Sequence, residues 1–527
     1  MSSTNGNTPE LRDGSSNSYI FWTCFMALIA TSFGFMVRVL VMDQWQVEFN
    51  LSETEKGMLF GVGLWPFAIS IVLFSLIIDK IGYKISLWFA FICHVLQVLL
   101  LITANDYWDL WTGTFIGALG NGTVEAVINP VIASIYRKAK SMWLTLLHAG
   151  WPGGLVLAGV LALLLKETAA DPTAAGEAAA LDWTWQISLI LIPVVIYGIM
   201  LLFCRFPINE RVAAGIPYKV MLQEAGVIGC FIVTTLIVME LGNVFEISNH
   251  WQSIVINMSC LLYGIYTLAF GKPLFILLLL LMIPLATTEL GTDAWIRELL
   301  KPVTQDVMEI DAGWILVYTA LIMFVLRLVI SPLLMIVSPL VILLISSCLA
   351  AIGIFSLANV EGAILIVVAA TIYGIGQSFF WPCTLGVVAE QFPRGGALTL
   401  NSIAGVGMLG VGIIGAPLLG NLQDNMVNDV VASDPEIPDR IMLPEVKDSV
   451  FGEYQQLDQE ALAAIKLDEP VLHERIVQLQ NDGKMAALSM AAIPPVFMAI
   501  CYLLLIMYFS SNGGYKPVEI LPESDEP

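Results

Sequence analysis

Fourteen apolar runs, most of about twenty residues or more, dominate this chain: 18–42, 56–78, 85–104, 108–136, 142–166, 186–204, 224–243, 251–270, 273–299, 312–336, 338–357, 362–388, 396–420 and 485–509. A helix needs roughly 20 such residues to cross the hydrocarbon core of a bilayer. Lipid offers no partner to a backbone N–H or C=O, so a segment inside it must satisfy its own hydrogen bonds, and a helix does so. Composition agrees: 57% of the 527 residues are hydrophobic and 13% charged, with mean hydropathy +0.81, where a soluble chain is roughly 25% charged. The expected fold class is an all-α polytopic membrane protein surrounded by a lipid bilayer.

The net charge of −21 has a local origin. Between Asn421 and Asp482, fourteen Asp and Glu stand against four Lys and Arg. The acid is thus concentrated in one polar loop, 421–484, and in the tails, a distribution that argues against nucleic acid as a partner. The loop is expected to form a small cap outside the membrane, with a helix-like patch from Gln459 to Lys466. Lys and Arg in short loops set orientation. Arg12, Lys80, Lys84, Arg137, Lys138, Lys140, Arg205, Arg211, Lys219, Lys272, Arg394 and Lys516 fall on one side, and Lys56, Lys166 and Lys301 on the other. Both termini are therefore expected in the cytoplasm of a cell-membrane protein. Residues 1–17 are polar and the run after them is too long for a leader's apolar region, so no cleavable signal is expected. The eight cysteines lie in apolar stretches without a C-x-x-C, and the four histidines lack ligand spacing. They predict no disulfide framework, metal site or cofactor.

The chain also repeats itself. Pro130 followed by Leu144-Thr145-Leu146 matches Pro382 followed by Leu398-Thr399-Leu400, and glycine-rich stretches continue both. Counted back from each proline, Gly122 aligns with Gly374, Glu125 with Gln377 and Asn129 with Trp381. Paired hydrophobic segments interrupted by Gly and Pro point to the central site of a transporter. The loop Ser75-Leu76-Ile77-Ile78-Asp79-Lys80-Ile81-Gly82-Tyr83-Lys84 resembles the G-x-x-x-D-R/K-x-G-R/K-R/K signature of the major facilitator superfamily, departing from it at Ser75 and Tyr83. The run Gly120-Asn121-Gly122 with Glu125 and Asn129-Pro130 is similar to the E-x-x-x-N-P helix of fucose permease-like sugar–proton symporters.

The resemblance implies two six-helix halves, 18–204 and 273–509, joined by a linker, 205–272, that carries two extra spans. Peptide–proton symporters of the superfamily carry two helices there as well, but their E-x-x-E-R motif is absent from the first span, which reads Phe35-Met36-Val37-Arg38-Val39-Leu40. In the implied mechanism, Asp79, Lys80, Gly82 and Lys84 form a conformational latch on the cytoplasmic side. Glu125 takes the proton-coupling role, and the protein functions as a monomer.

A charge at the bilayer centre costs roughly 2.5–3.5 kcal/mol, so each ionisable residue deep in a span is a site candidate. Glu125 can bind a proton together with solute and release it on the other side; its bland reading is a packing hydrogen bond. Arg38 is the candidate partner of Glu125 or a direct ligand for an anion, or it simply snorkels to the outer surface. Glu289, Asp293 and Arg297 share a helical face. Glu289 is the proton-coupling candidate among them, and Asp293 and Arg297 are expected to pair at the outer end. Arg327 is read as structural. Asn129, His148, Trp151, Gln377, Trp381 and Asn401 offer amides, an imidazole and indoles suited to a sugar's hydroxyls and apolar face; the alternative is ordinary interhelical hydrogen bonding. The glycines of 150–159 and 405–415 are expected at close helix contacts that slide.

No nucleophile elbow or P-loop is present, so the chain is not expected to be an enzyme. The expected function is proton-coupled transport of a small polar solute, with a sugar first and an organic anion or oxyanion held by Arg38 second. A sensor built on a transporter fold is the remaining alternative.

Overall fold

The computed structural model describes residues 15–169, 183–292, 313–360, 362–434, 437–449 and 452–521. Among them, thirteen helical stretches are long and apolar enough to cross a membrane. The first half comprises α1 (Asn17–Glu48), α2 (Glu53–Gly61) stacked on α3 (Trp65–Ile81), α4 (Tyr83–Ile102), α5 (Tyr107–Ile135), α6 (Lys140–Leu147) broken from α7 (Gly150–Ala169), and α8 (Trp183–Ser188) with α9 (Leu191–Phe203). A single turn, α10 (Glu210–Ala213), leads to the added hairpin of α11 (Tyr218–Val244) and α12 (Asn249–Thr267). The second half begins with α13 (Pro273–Ala286), which runs on as a π-helix to Gly291. It continues with α14 (Gly313–Ile330), α15 (Pro339–Leu357), α16 (Ala363–Gln377) broken from α17 (Phe380–Gln391), and α18 (Gly396–Gly410) with a π-helical continuation over Val411–Gly415.

Local sequence explains these boundaries. The expected capping box starts α2: the Ser52 N–H donates to Glu55 Oε2 at 2.9 Å and the Glu55 N–H to Ser52 Oγ at 3.2 Å, satisfying two orphan donors of the first turn. Asp106 caps α5 by accepting from the Asp109 N–H at 3.0 Å. Expectation and structure differ at 251–270, where α12 is a helix but not among the thirteen membrane-length stretches. Its first turns, Asn249-His250-Trp251-Gln252, and Asn257 dilute the apolar run. It packs on α11 and buries only Thr267.

The acidic loop is the second difference. Beyond the bundle, α19 (Ala416–Ala432) prolongs the α18 span, and α22 (Pro470–Met490) leads into the last span, α23 (Ile493–Ser511). Between them lie α20 (Pro438–Ile441), an antiparallel ribbon of β1 (Met442–Ser449) and β2 (Gly452–Leu457), and α21 (Gln459–Asp468). The expected helix at 459–466 is α21; the ribbon has no apolar run to announce it. The cap has its own core of Val427, Val431, Ile437, Ile441, Ile465 and Ile476.

Among the contacts that join the halves, those of α3 with α18 and of α7 with α14 depend on glycine. A Cβ at Gly405 would lie 2.6 Å from Val72 Cγ2, one at Gly159 2.5 Å from Val317 Cγ2, and one at Gly153 3.1 Å from the Phe324 ring. These three of the glycines expected at close contacts lie between the halves, where backbones approach only if side chains are absent; Gly150, Gly154, Gly407, Gly410 and Gly415 meet neighbours within their own half, and Gly412 meets none.

Candidate functional site

The site grows from α5. Glu125 and Asn129 are one turn apart on the same face, so Asn129 Nδ2 reaches Glu125 Oε2 at 2.7 Å. Asn129 Oδ1 faces His148 Nε2 at 2.9 Å. All three side chains are at most 3% exposed. The expected proton carrier and two of the expected solute ligands are therefore one hydrogen-bonded chain running from α5 to the break between α6 and α7.

Arg327 on α14 continues that chain. Its Nη1 donates to the His148 carbonyl at 2.7 Å, its Nε to the Ser378 carbonyl at 2.6 Å, and its Nη2 to Glu289 Oε1 at 3.2 Å. Glu289 Oε2 accepts from the Trp381 N–H at 3.2 Å. Arg327 is 1% exposed and Glu289 5%, so each needs the other's charge. Asn401 Nδ2 donates across the halves to the Ala126 carbonyl at 3.0 Å, while its Oδ1 is buried with no partner. Gln377 Nε2 approaches Met323 Sδ at 3.9 Å. Glu289, Trp381 and Asn401 thus join the same interior network. Trp151 lies apart from it.

Trp151 packs with Phe35 on α1, the helix that also carries Arg38. Phe35 packs on Phe60 at 6.2 Å and on Trp151 at 5.9 Å between ring centroids. Arg38, one turn along α1 from Phe35, lays its guanidinium against Gly63, where a Cβ would be 2.5 Å from Nη1. Arg38 is 4% exposed. Among the described residues it has no ion pair or hydrogen bond, and its Nε is buried without a partner. The bland expectation of snorkelling does not fit a guanidinium this buried.

At one end of the bundle the halves are sealed. Lys140 Nζ donates to Glu210 Oε2 at 2.7 Å and, across the seam, to the Ala389 carbonyl at 3.3 Å. Glu390 Oε1 accepts from the Ser141 N–H at 3.1 Å, capping α6 from the opposite half, and Glu390 Oε2 accepts from Tyr515 Oη at 2.7 Å. The four latch candidates are at this end. Asp79 pairs with Arg211, Lys80 Nζ lies 5.7 Å from the Tyr218 ring centroid, and Lys84 Nζ donates to the Leu202 carbonyl at 2.9 Å. Gly82, at φ 83°, makes the corner between α3 and α4. These contacts stay within the first half and the linker after it, while Lys140 and Ser141 make the contacts across the seam.

Asp293 and Arg297, expected as an outer ion pair, lie outside the described residues. Sequence reasoning passed over Arg327's part in the site, although the cost of a buried charge that singled out Glu125 applies to it equally. It also passed over a second buried network, in which His94 Nδ1 meets Tyr197 Oη at 3.0 Å and Nε2 meets Asn121 Oδ1 at 2.9 Å. No group of His, Cys, Asp and Glu fit to hold a metal occurs among the described residues.

Comparison with known proteins agrees with this architecture. Residues 21–416 match the family model described as Major Facilitator Superfamily. A gentisate transporter from Corynebacterium glutamicum is 25% identical over 170 residues, 32% of this chain, so the match spans about a third (36%) of that relative's length. Among solved structures, a proton:xylose symporter aligns with TM-score 0.61 at 13% identity, over 92% of this chain and 95% of that one. The human organic anion transporter TETRAN aligns with TM-score 0.55 at 10% identity, over 93% and 100%. The E. coli fucose:proton symporter aligns with TM-score 0.53 at 14% identity, over 92% and 99%. At such identities these structures speak to the fold alone, whereas the family model covers most of the chain. The chain belongs to the major facilitator superfamily.

Proposed function

We propose that this transporter carries a small organic anion together with protons by alternating access, with the anion's carboxylate or oxyanion on Arg38 and the proton on Glu125. The observation behind this reading is the buried, unpartnered guanidinium of Arg38 lying against Gly63. A desolvated cation without a counter-ion costs several kcal/mol, and an anionic solute offsets that cost while it is bound. Guanidinium is also the side-chain group best matched to a carboxylate, through two parallel hydrogen bonds. The name of a curated relative, a gentisate transporter, denotes a carboxylate as well. Both termini face the cytoplasm in this reading, so the sealed end is the cytoplasmic one. Asp79, Lys80, Gly82 and Lys84 brace the first half's side of that seal.

A sugar is the second reading, supported by the free Oδ1 acceptor of Asn401 beside the Glu125–Asn129–His148 chain. A solute hydroxyl would satisfy that acceptor.

The test is uptake of a panel of labelled carboxylates and sugars into proteoliposomes under an inward proton gradient. It compares the wild type with Arg38→Gln and Glu125→Gln. We expect carboxylate accumulation that Arg38→Gln abolishes and that Glu125→Gln reduces to equilibration. Sugar accumulation unaffected by Arg38→Gln would replace the first reading with the second. No saturable flux of any solute would favour a sensor built on this fold.

A further inference from the structure

Proline has no N–H, so a proline inside a helix leaves the carbonyl four residues earlier without its usual donor. Pro130, inside α5, does this to Ala126. His148 and Ser378 carry free carbonyls for another reason: each follows the last residue of a helix, α6 or α16, at the break before the next. Each of these carbonyls accepts a side-chain hydrogen bond from the second half. Asn401 Nδ2 donates to Ala126 at 3.0 Å, Arg327 Nη1 to His148 at 2.7 Å and Arg327 Nε to Ser378 at 2.6 Å.

The first two bonds cross between the halves, because Ala126 and His148 belong to the first half and Asn401 and Arg327 to the second. The donors are anchored where they stand. Arg327 is held by Glu289 and by the Ser378 carbonyl, at the break between α16 and α17 in its own half. The acceptors are fully buried, so an unmade bond there would leave a backbone carbonyl in an apolar, water-free interior.

We propose that Pro130 and the break after α6 supply the acceptors of a cross-half lock, closed by Asn401 and Arg327, which holds the transporter in this sealed conformation and must open when the halves rock. Pro130 acts as a positioning residue, since it works through the carbonyl it frees. The lock is independent of which solute is carried.

Replacement by alanine tests this directly, because the new N–H competes for the carbonyl while the helix loses nothing. The readout is the distance between spin labels at Lys138→Cys and Arg394→Cys, exposed positions on the two halves at the sealed end. Labelling is done in a variant whose native cysteines are replaced. The full-length protein is measured in lipid nanodiscs without solute. A neutral hydrogen bond of about 1 kcal/mol corresponds to a several-fold change in population. We therefore expect Pro130→Ala to raise the ratio of long to short distances several-fold, and Asn401→Ala, which removes the donor, to do the same. Pro66→Ala is the control, since Pro66 lies in the first turn of α3, where no N–H is needed, and it should leave the ratio unchanged. Unchanged distances in Pro130→Ala and Asn401→Ala, with intact folding, would overturn the proposal. So would an equal shift in Pro66→Ala, which would mark the effect as nonspecific.

Discussion

Removing Arg327 alone should be at least as damaging as removing it together with Glu289. The guanidinium is 1% exposed and serves three acceptors, one of them the Glu289 carboxylate at 3.2 Å. Arg327→Met leaves that carboxylate buried without its counter-ion, which costs about 3–5 kcal/mol. In Arg327→Met/Glu289→Met the unpaired charge is gone. What remains is the loss of hydrogen bonds at the His148 and Ser378 carbonyls and at the Trp381 N–H, about 1 kcal/mol each. The double variant should therefore be no less stable than Arg327→Met. Because Glu289→Met likewise leaves a buried charge unpaired, at about 3–5 kcal/mol, the coupling energy between the two positions should be at least about 3 kcal/mol. Unfolding by SDS titration in mixed micelles, run on the wild type, both single variants and the double, closes the cycle. A coupling energy within about 0.5 kcal/mol of zero would refute the claim that these two charges sustain each other.

Two further outcomes test other parts of the structure. Gly405→Leu puts side-chain atoms where even a Cβ lies 2.6 Å from Val72; overpacking of about 1–3 kcal/mol at the α3–α18 seam should leave a monodisperse protein whose flux per molecule falls at least several-fold. Normal flux would show that the seam does not need close approach. In the cap, the Arg440 guanidinium holds the Glu469 carboxyl below its ordinary value of 4.5. A carboxylate depressed in the folded state stabilises fully above its unfolded value and loses that contribution as pH falls through the folded one. Amide exchange at 437–441 and 469–476, corrected for intrinsic rates, should therefore accelerate below about pH 4.5, and Arg440→Gln should remove that component. An identical pH profile in the variant would mean that the pair does not stabilise the cap.

Much of the site was legible in sequence, for a reason that also marks the limit. A carboxylate or guanidinium inside an apolar run is expensive wherever it points, so Glu125, Arg38 and Glu289 could be singled out with no knowledge of the fold. The repeat located Asn129, Trp381 and Asn401. It did not reveal that Asn401 spends its amide on the Ala126 carbonyl, or that Trp151 sits with Phe35 rather than with Gln377. Nor does sequence give Arg327 its partners, since Glu289 and the His148 carbonyl lie 38 and 179 residues away along the chain.

The sequence by itself determined the solvent and the segments: apolar runs of span length require helices in lipid, and the prolines and caps decide where those helices start or break. These are local properties, set by neighbours within a few residues. Which buried charges neutralise one another was decided only when the two halves packed together. Arg38 and Arg327 are both single arginines in apolar runs, and nothing local distinguishes them. Packing gave Arg327 a carboxylate and two backbone carbonyls and left Arg38 against Gly63 with no counter-ion, because electrostatic pairing depends on distance in space rather than along the chain.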